Sequence, residues 1–555
     1  MKRLNYYYSF CFVLAVCGLL QFSPLNAQDI ERQRPEVWKQ LVLGGRFMDR
    51  FEAIPPIGEL TSDTWGADAV RPRYTANGIE DPQWSYWGGN IRKGDDGKYH
   101  LIVCRWPENS EKGHMQWPKS EVVHAVAENP QGPFHVQGET IGQGHNPEFF
   151  RLKDGRYVIY VINAYYIADG LNGPWTKGEF TFDPRDRKIH DGLSNVSFAQ
   201  RKDGSYLAVC RGGGIWVSET GLLPYYQVTN KSVYPAFDGR YEDPVIWRTH
   251  IQYHMIVNDW YGRIAYYLRS PNGIDWKVEP GEAYMPGIAK YEDGTVEDWY
   301  KYERIKMLQD KYGRAYQANF AVIDSSKWCD LGNDRHSSKN IGIPLTKGKL
   351  LTIVDEKKIT ADTPLIRVKI EAESGFDPHS DMDLESLSFG ASEEVNFGRG
   401  SKLVKTEQQG KDLVLFFDGQ GNGLTDENFV AKLLGKTKDG SLLFGYARLP
   451  WLMYDAPILS ARKPLVSENT KGGSILEFEV SNFGEVPSVL TTVDVEIESN
   501  NKRMQLTCNV PALAPYANHS IELETAVPIE KDARITIKSK DQKMLLVETL
   551  KNRGD

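Results

Sequence analysis

The sequence predicts an all-β chain: a five-bladed β-propeller followed by β-sandwich modules. Three observations carry this expectation. A turn-plus-strand unit recurs through the middle of the chain, and Gly and Pro are plentiful at 50 and 29. Aromatic residues reach 12%, and the later segments alternate apolar and polar residues with a period of two.

The repeat is legible in Asp96-Gly97-Lys98-Tyr99, Asp154-Gly155-Arg156-Tyr157 and Asp203-Gly204-Ser205-Tyr206, each running into an apolar stretch. Two degenerate copies follow, at His250-Ile251-Gln252-Tyr253 and at Tyr312-Gly313-Arg314-Ala315-Tyr316. Asp-Gly suits a hairpin because such turns need φ > 0, and the run after each turn has strand composition. A strand precedes each turn, as in Pro147-Glu148-Phe149-Phe150 and Pro244-Val245-Ile246-Trp247. A further turn follows, as in Leu171-Asn172-Gly173-Pro174-Trp175. Repeat tyrosines recur at roughly 50 to 60 residues, the length of one four-stranded blade with its loops. Five copies place a propeller over about 69–355.

The flanks are read separately. Lys2 and Arg3, the apolar run Phe10 to Leu20 and the Leu25-Asn26-Ala27 site read as a signal peptide (1–27) cut near Ala27, so a secreted or periplasmic protein is expected. Cys17-Gly18 offers a lipoprotein alternative, which the branched Val16 disfavours. An N-terminal extension (28–68) includes a short helix at Pro35 to Leu43, with Pro where its missing N–H costs little. A β-rich module is expected over 365–457, with Leu413-Val414-Leu415-Phe416-Phe417 as one strand. An immunoglobulin-like sandwich is expected over 465–555, from Leu476-Glu477-Phe478-Glu479-Val480 and Thr492-Val493-Asp494-Val495-Glu496-Ile497. Asp418 to Gly423 has calcium-loop flavour, but Phe429 stands where a bidentate Glu is needed, so a plain turn is expected.

Charge and composition narrow the function. With 66 Lys+Arg against 74 Asp+Glu, the net charge of −8 leaves no basic surplus for phosphates, and no nucleic-acid partner is expected. No run after the leader approaches the roughly 20 apolar residues of a membrane span, so no membrane insertion is expected. The cysteines beyond the leader, Cys104, Cys210, Cys329 and Cys508, are far apart and lack zinc-type spacing.

In a propeller the residues leading into the innermost strands meet around one axis. Those residues are Asp81 to Asn90, His145-Asn146-Pro147-Glu148, His190 to Asn195, Tyr241-Glu242-Asp243-Pro244 and Glu297 to Glu303. The five repeats, the Asp-Pro and Asn-Pro lead-ins and the Gly-Pro-Trp turns resemble the propeller glycosidases around glycoside hydrolase family 43 and family 117. The stretch most like that group is Tyr241-Glu242-Asp243-Pro244-Val245-Ile246-Trp247. The terminal segment, with Ser481-Asn482-Phe483-Gly484 and Val510-Pro511-Ala512-Leu513-Ala514-Pro515, resembles CARDB adhesion modules.

The resemblance implies a secreted hydrolase that removes terminal sugars from a plant or algal oligosaccharide or polysaccharide. Two pocket carboxyls would do this, about 6.5 to 9.5 Å apart if configuration inverts. No organic cofactor is implied, and an axial calcium is left open. The sequence departs from family 43 where that family carries Asp, Asp and Glu on its first three blades. The equivalent positions here are Gly88, Asn146 and Asn195, so catalytic roles do not transfer by motif.

The candidate catalytic carboxylates are Glu148, Asp243, Glu303 and Asp81, among available acids that also include Asp191, Glu242, Glu297 and Asp298. Period two puts Glu148 on the same strand face as Asn146, and Glu303 heads its own strand. Asp243, standing before Pro, is equally suited to capping local backbone. The candidate substrate-binding residues are His145, Asn146, Asn195, Glu242, Trp84, Trp87, Asn90 and Arg211. His145 is also an alternative acid. Two of Trp84, Trp87, Trp106, Trp117, Trp260 and Trp299 are expected to stack on sugar rings. Arg105 and Arg211 are expected to pair with neighbouring acids or to clamp an anionic sugar. The rival functions are a non-catalytic carbohydrate-binding protein, favoured by the missing family acids, and a polysaccharide lyase with a His or Tyr base.

Overall fold

The computed structural model describes residues 31–550 except 181–193, 361, 501 and 542. The signal peptide expected at the N-terminus, and His190 and Asp191, lie outside the described residues. Among the described residues no helix is long and apolar enough to cross a membrane.

The chain is almost entirely β. Five antiparallel sheets follow one another, each with its strands in sequence order. The first runs from Trp84–Lys93 through Tyr99–Pro107 and Glu121–Ala127 to His135–Gln143, and the second from Glu148–Arg151 to Thr176–Glu179. The third runs from Ser197–Gln200 to Tyr226–Gln227 and the fourth from Tyr241–Arg248 to Lys277–Tyr284. The fifth has three strands, Lys301–Gln309, Ala315–Ile323 and Ser338–Pro344. Its open edge is met from the N-terminal side, where Ile79 N–H donates to the Asn340 carbonyl at 3.1 Å.

The sheets form a ring because each buries both faces. Ile102 and Val122 of the first sheet pack on Phe149 and Ile159 of the second. Phe150 and Tyr160 pack on Val196 and Tyr206 of the third, and Leu207 and Val209 on Ile246 and Met255 of the fourth. Val245 and Ile256 pack on Tyr302 and Phe320 of the fifth, whose Leu308 returns to Tyr86 and Leu101 of the first. Fully burying each such side chain contributes about 1.5–3 kcal/mol, so the closure rests on five apolar seams. The innermost strand of each sheet neighbours the next, and the fifth lies beside the first.

The N-terminal extension forms a short 3-10 helix, Glu36–Gln40, inside the span expected to be helical at Pro35 to Leu43, and a second one, Phe47–Arg50, beyond it. Phe47 then joins the core shared by the fourth and fifth sheets.

The expected ring boundary at 355 is corrected. Lys349–Ile353 pairs with Leu365–Ile370 and Leu442–Arg448, closing a seven-stranded barrel around Ile366, Val368, Phe389 and Phe417. Its strand belongs there because Leu351 and Ile353 bury their side chains in the barrel core. The last unit packs two four-stranded sheets together. Leu476, Phe478 and Val480 of one face Val493, Val495, Ile497, Ile535 and Ile537 of the other. It begins at Leu459–Ala461, six residues before the expected start at 465.

Candidate active site

Each of the five innermost strands begins around a residue with left-handed backbone: Gly88 (φ 63°), Asn146 (55°), Asn195 (52°), Asp243 (52°) and Arg304 (52°). Gly and Asn adopt this region readily, Asp less so, and Arg rarely. In the first, fourth and fifth sheets the strand register shifts at the same place, so each inner strand carries a bulge there. The five residues meet. Asn146 Nδ2 donates to Asn195 Oδ1 at 2.9 Å, and Asn195 Nδ2 donates to Asp243 Oδ1 at 2.9 Å. Asp243 also accepts Arg304 Nη1 at 3.0 Å and the Arg304 backbone N–H at 3.3 Å. Gly88 leaves room for that arginine: a Cβ there would sit 3.4 Å from Asn146 Oδ1 and 3.6 Å from Arg304 Nε.

This ring is a plug across the axis. The residues just before it (Trp87, His145, Ser194, Glu242 and Glu303) line a cavity of about 620 Å³ on one side. Two residues after it on each strand lie Asn90, Glu148, Ser197, Val245 and Lys306. Of these, Asn90, Glu148, Val245 and Lys306 line a smaller cavity of about 240 Å³ together with Arg92 and Trp247.

Glu148 is therefore on the axis but beyond the plug, a correction to its catalytic candidacy. Its Oε2 pairs with Lys306 Nζ at 2.5 Å, and Ser197 Oγ donates to its Oε1 at 3.3 Å. The alternation that pointed Glu148 at the axis fails as a guide to the pocket because the left-handed residue shifts which positions face it. Asp243 is on the cavity floor, but Asn195 and Arg304 occupy its oxygens and tie it into the plug. Asp81 is corrected too. It lies outside the cavity, accepting the Gln83 N–H at 2.9 Å and the Tyr86 hydroxyl, which makes it a turn cap.

Glu303 and Glu242 remain. Glu303 is 1% exposed, pairs with Lys327, and has no hydrogen-bond partner on its Oε1. Glu242 pairs with Arg211 at 2.6 Å. Burial, then the charges of Asp243 and Glu303, push the Glu242 carboxyl up to about 7 against the pull of Lys327 and Arg211. Burial lowers the Lys327 ammonium, but Glu303, Asp243 and Glu242 outweigh it and leave it raised. His145 lines the cavity, but burial, with Arg304 and Lys327 nearby, holds it well below its usual range. It is a neutral imidazole whose Nδ1 is 2.9 Å from Ser120 Oγ, which removes it as a proton donor near neutral pH.

Of the remaining expected binders, Asn146, Asn195, Trp87 and Arg211 line the cavity, as do Trp117 and Trp260. Trp84 does not: its ring is covered by the Arg105 guanidinium at 3.8 Å, and Arg105 also pairs with Glu121. Asn90 ties the first two sheets through the Phe149 backbone, donating at 2.6 Å and accepting at 2.8 Å. Trp106 and Trp299 are buried, and Glu297 accepts the Tyr74 N–H at 2.8 Å in the core. Sequence reasoning missed Lys327 and Trp328, which come from the loop after Ala315–Ile323; the only signal was a Lys-Trp pair in a stretch without strand pattern.

The axial layer does not fit a calcium ion. Its donors are interleaved with the Arg304 guanidinium and the Lys306 ammonium, with Arg92 beside them, and these cations repel a divalent cation. Among the described residues no group of three or more His, Cys, Asp or Glu side chains is arranged to hold a metal ion.

No protein-family model and no curated protein matches the sequence. Solved structures do. A putative exo-β-1,3-galactanase from Bifidobacterium bifidum s17 matches at 14% identity and TM-score 0.31, over 47% of this chain and 92% of that one. A family 117 glycoside hydrolase of the marine bacterium Zobellia galactanivorans matches at 12% and 0.33, over 53% and 89%. A family 43 β-xylosidase/α-arabinofuranosidase from a compost microbial metagenome matches at 10% and 0.33, over 47% and 91%. Likeness at this level assigns no activity.

Proposed function

We propose that the ring is a five-bladed propeller and that the chain is a secreted glycoside hydrolase. It removes terminal sugars from a plant or algal polysaccharide in the plugged axial cavity. The observation that carries this reading is the pair Glu242 and Glu303. They occupy equivalent positions on adjacent inner strands, line one cavity, and share Lys327 between them, while burial pushes the Glu242 carboxyl up to about 7. Acid/base hydrolysis of a glycosidic bond requires two carboxyls facing one pocket, one of them kept protonated near neutral pH, and the raised Glu242 carboxyl meets the second need.

Glu242, with its pKa near 7, is the acid. It donates its proton to the departing glycosidic oxygen as the C–O bond breaks, and Arg211 and Lys327 then stabilise the carboxylate left behind. Glu303, ion-paired with Lys327, takes a proton from water as that water attacks the sugar carbon. Trp117, Trp260 and Trp328 offer apolar faces to the ring, whereas Trp87 is buried beneath Lys327. The plug closes the floor, which supports action at chain ends. The terminal two-sheet unit is read as a CARDB-like sandwich.

The test is a panel of arabino-, xylo- and galacto-oligosaccharides and aryl glycosides read by released monosaccharide. Turnover is expected, and it is lost in Glu242→Gln and Glu303→Gln. Gly88, Asn146 and Asn195, all non-acidic, favour the second reading of carbohydrate binding without turnover. Binding of panel members that are never cleaved would establish that reading, and products absorbing in the ultraviolet would establish a lyase.

A further inference from the structure

A larger cavity lies away from the axis, where the ring, the barrel and the terminal sandwich meet. It is an open cleft of about 1170 Å³. One wall is the chain after the third sheet, with Tyr234; a second is the turn of the fourth sheet that carries Trp276. The barrel, the linker residues Met453 and Tyr454, and Met544 and Val547 of the sandwich complete it.

The aromatic residues in this cleft have their polar tips already used. Trp276 Nε1 donates to the Gly273 carbonyl at 2.9 Å, and Tyr234 hydroxyl donates to the Cys210 carbonyl at 2.6 Å. The Tyr454 hydroxyl donates to the Phe429 carbonyl and accepts the Leu449 N–H at 2.8 Å. What these rings offer a ligand is their apolar surface. Met453 adds to it and is 89% exposed. The walls are tied together, since Asn230 donates to the Met544 carbonyl at 3.0 Å and accepts the Val547 N–H at 3.1 Å.

Charge in the cleft is largely cancelled locally. Lys277 pairs with Glu393 and Asp426 pairs with Lys358 at 2.5 Å, while the Asp275 carboxylate is hydrogen-bonded by Asn272 Nδ2 at 2.9 Å. Exposed Lys231 and Glu427 are opposite in sign. An anionic polymer or a strongly charged peptide finds no complementary field here. Rigid apolar rings with a polar, charge-balanced rim suit a ligand with flat C–H faces and neutral hydroxyl edges. We infer that this cleft is a second, non-catalytic site that holds a stretch of neutral polysaccharide. Its ligand class rests on the glycosidase reading above. Its effect is to raise the local concentration of chain ends near the axial pocket.

Native electrophoresis of the full chain through gels containing arabinan, xylan, galactan or agarose tests this. At least one polymer is expected to retard the protein, and retardation should fall at least fivefold in both Trp276→Ala and Met453→Glu. Glu242→Gln and Glu303→Gln should keep it. Met453 is almost wholly exposed, so its variant tests the cleft even where Trp276→Ala disturbs folding. Failure of every polymer to retard the wild type, or retention of retardation in Met453→Glu, overturns the inference. So does a sedimentation shift with concentration that Met453→Glu abolishes, since a second copy of the chain would then fill the cleft. Retardation without turnover of any aryl glycoside would sink the enzyme reading and leave this one standing.

Discussion

Asp243 and Arg304 share a left-handed backbone, φ 52° in each, and their side chains meet at 3.0 Å in the plug between two axial cavities. Neither is exposed beyond 2%. A buried pair of this kind is costly to break by halves, because one unpaired charge remains in a low-dielectric setting. Arg304→Met should therefore destabilise the chain by about 3–5 kcal/mol, read as a fall in melting temperature. Adding Asp243→Asn to it should recover part of that loss. Strict additivity of the two changes would mean the pair is not coupled.

The pH dependence of turnover follows from Glu242. As the proposed acid it must be protonated, so kcat/KM is expected to be high below about 7 and to fall as pH rises through that value. Arg211, at 2.6 Å, favours the ionised form. Removing its charge in Arg211→Ala raises the Glu242 pKa further, so the alkaline limb should move to higher pH. A pH–rate series on an aryl glycoside reads this. A limb that stays put or moves down would show that another group donates the proton.

Glu148 and Glu303 separate structure from chemistry. In Glu148→Gln, Lys306 loses its charge partner beyond the plug; burial already holds its ammonium down to about 8. The expected outcome is a lower melting temperature, because a buried charge loses its partner, with turnover per folded molecule within about twofold of wild type, because the plug separates Glu148 from the axial cavity. Glu303→Gln should instead cost about 10²–10⁴-fold in kcat, the usual worth of a positioned proton-transfer group. Melting curves and initial rates on the same preparations make the comparison.

How far the sequence could be read follows from these same residues. The Asp-Gly turns are local signals, and Gly97, Gly155 and Gly204 do take φ of 83°, 95° and 88°. Counting back from them located Gly88, Asn146 and Asn195, the first three members of the plug. The side of the plug on which a neighbour falls was not legible. It depends on a left-handed residue that interrupts strand alternation, and Asn-Pro does not announce one. Glu242 was legible as a candidate, but its role as acid depends on Asp243, Glu303, Lys327 and Arg211 being assembled around it from three sheets and a loop. Lys349–Ile353 reads as a strand in either unit, and only its partners in the barrel decide where it belongs.

Asn195 combines a backbone demand with a side-chain demand, and two substitutions pull them apart. Its φ of 52° disfavours residues with a Cβ, while its amide links Asn146 to Asp243 by two bonds of 2.9 Å. Asn195→Gly keeps the backbone conformation and loses both bonds, leaving Asn146 Nδ2 and one Asp243 lone pair without a partner, for about 1–3 kcal/mol. Asn195→Ala loses the same bonds and adds about 1–2 kcal/mol of left-handed strain. Ala should therefore be the more destabilising of the two, opposite to the order expected at an ordinary strand position, where Gly costs more. Melting temperatures of the two variants give the order directly. Gly melting at or below Ala would mean that the left-handed geometry does not constrain this position.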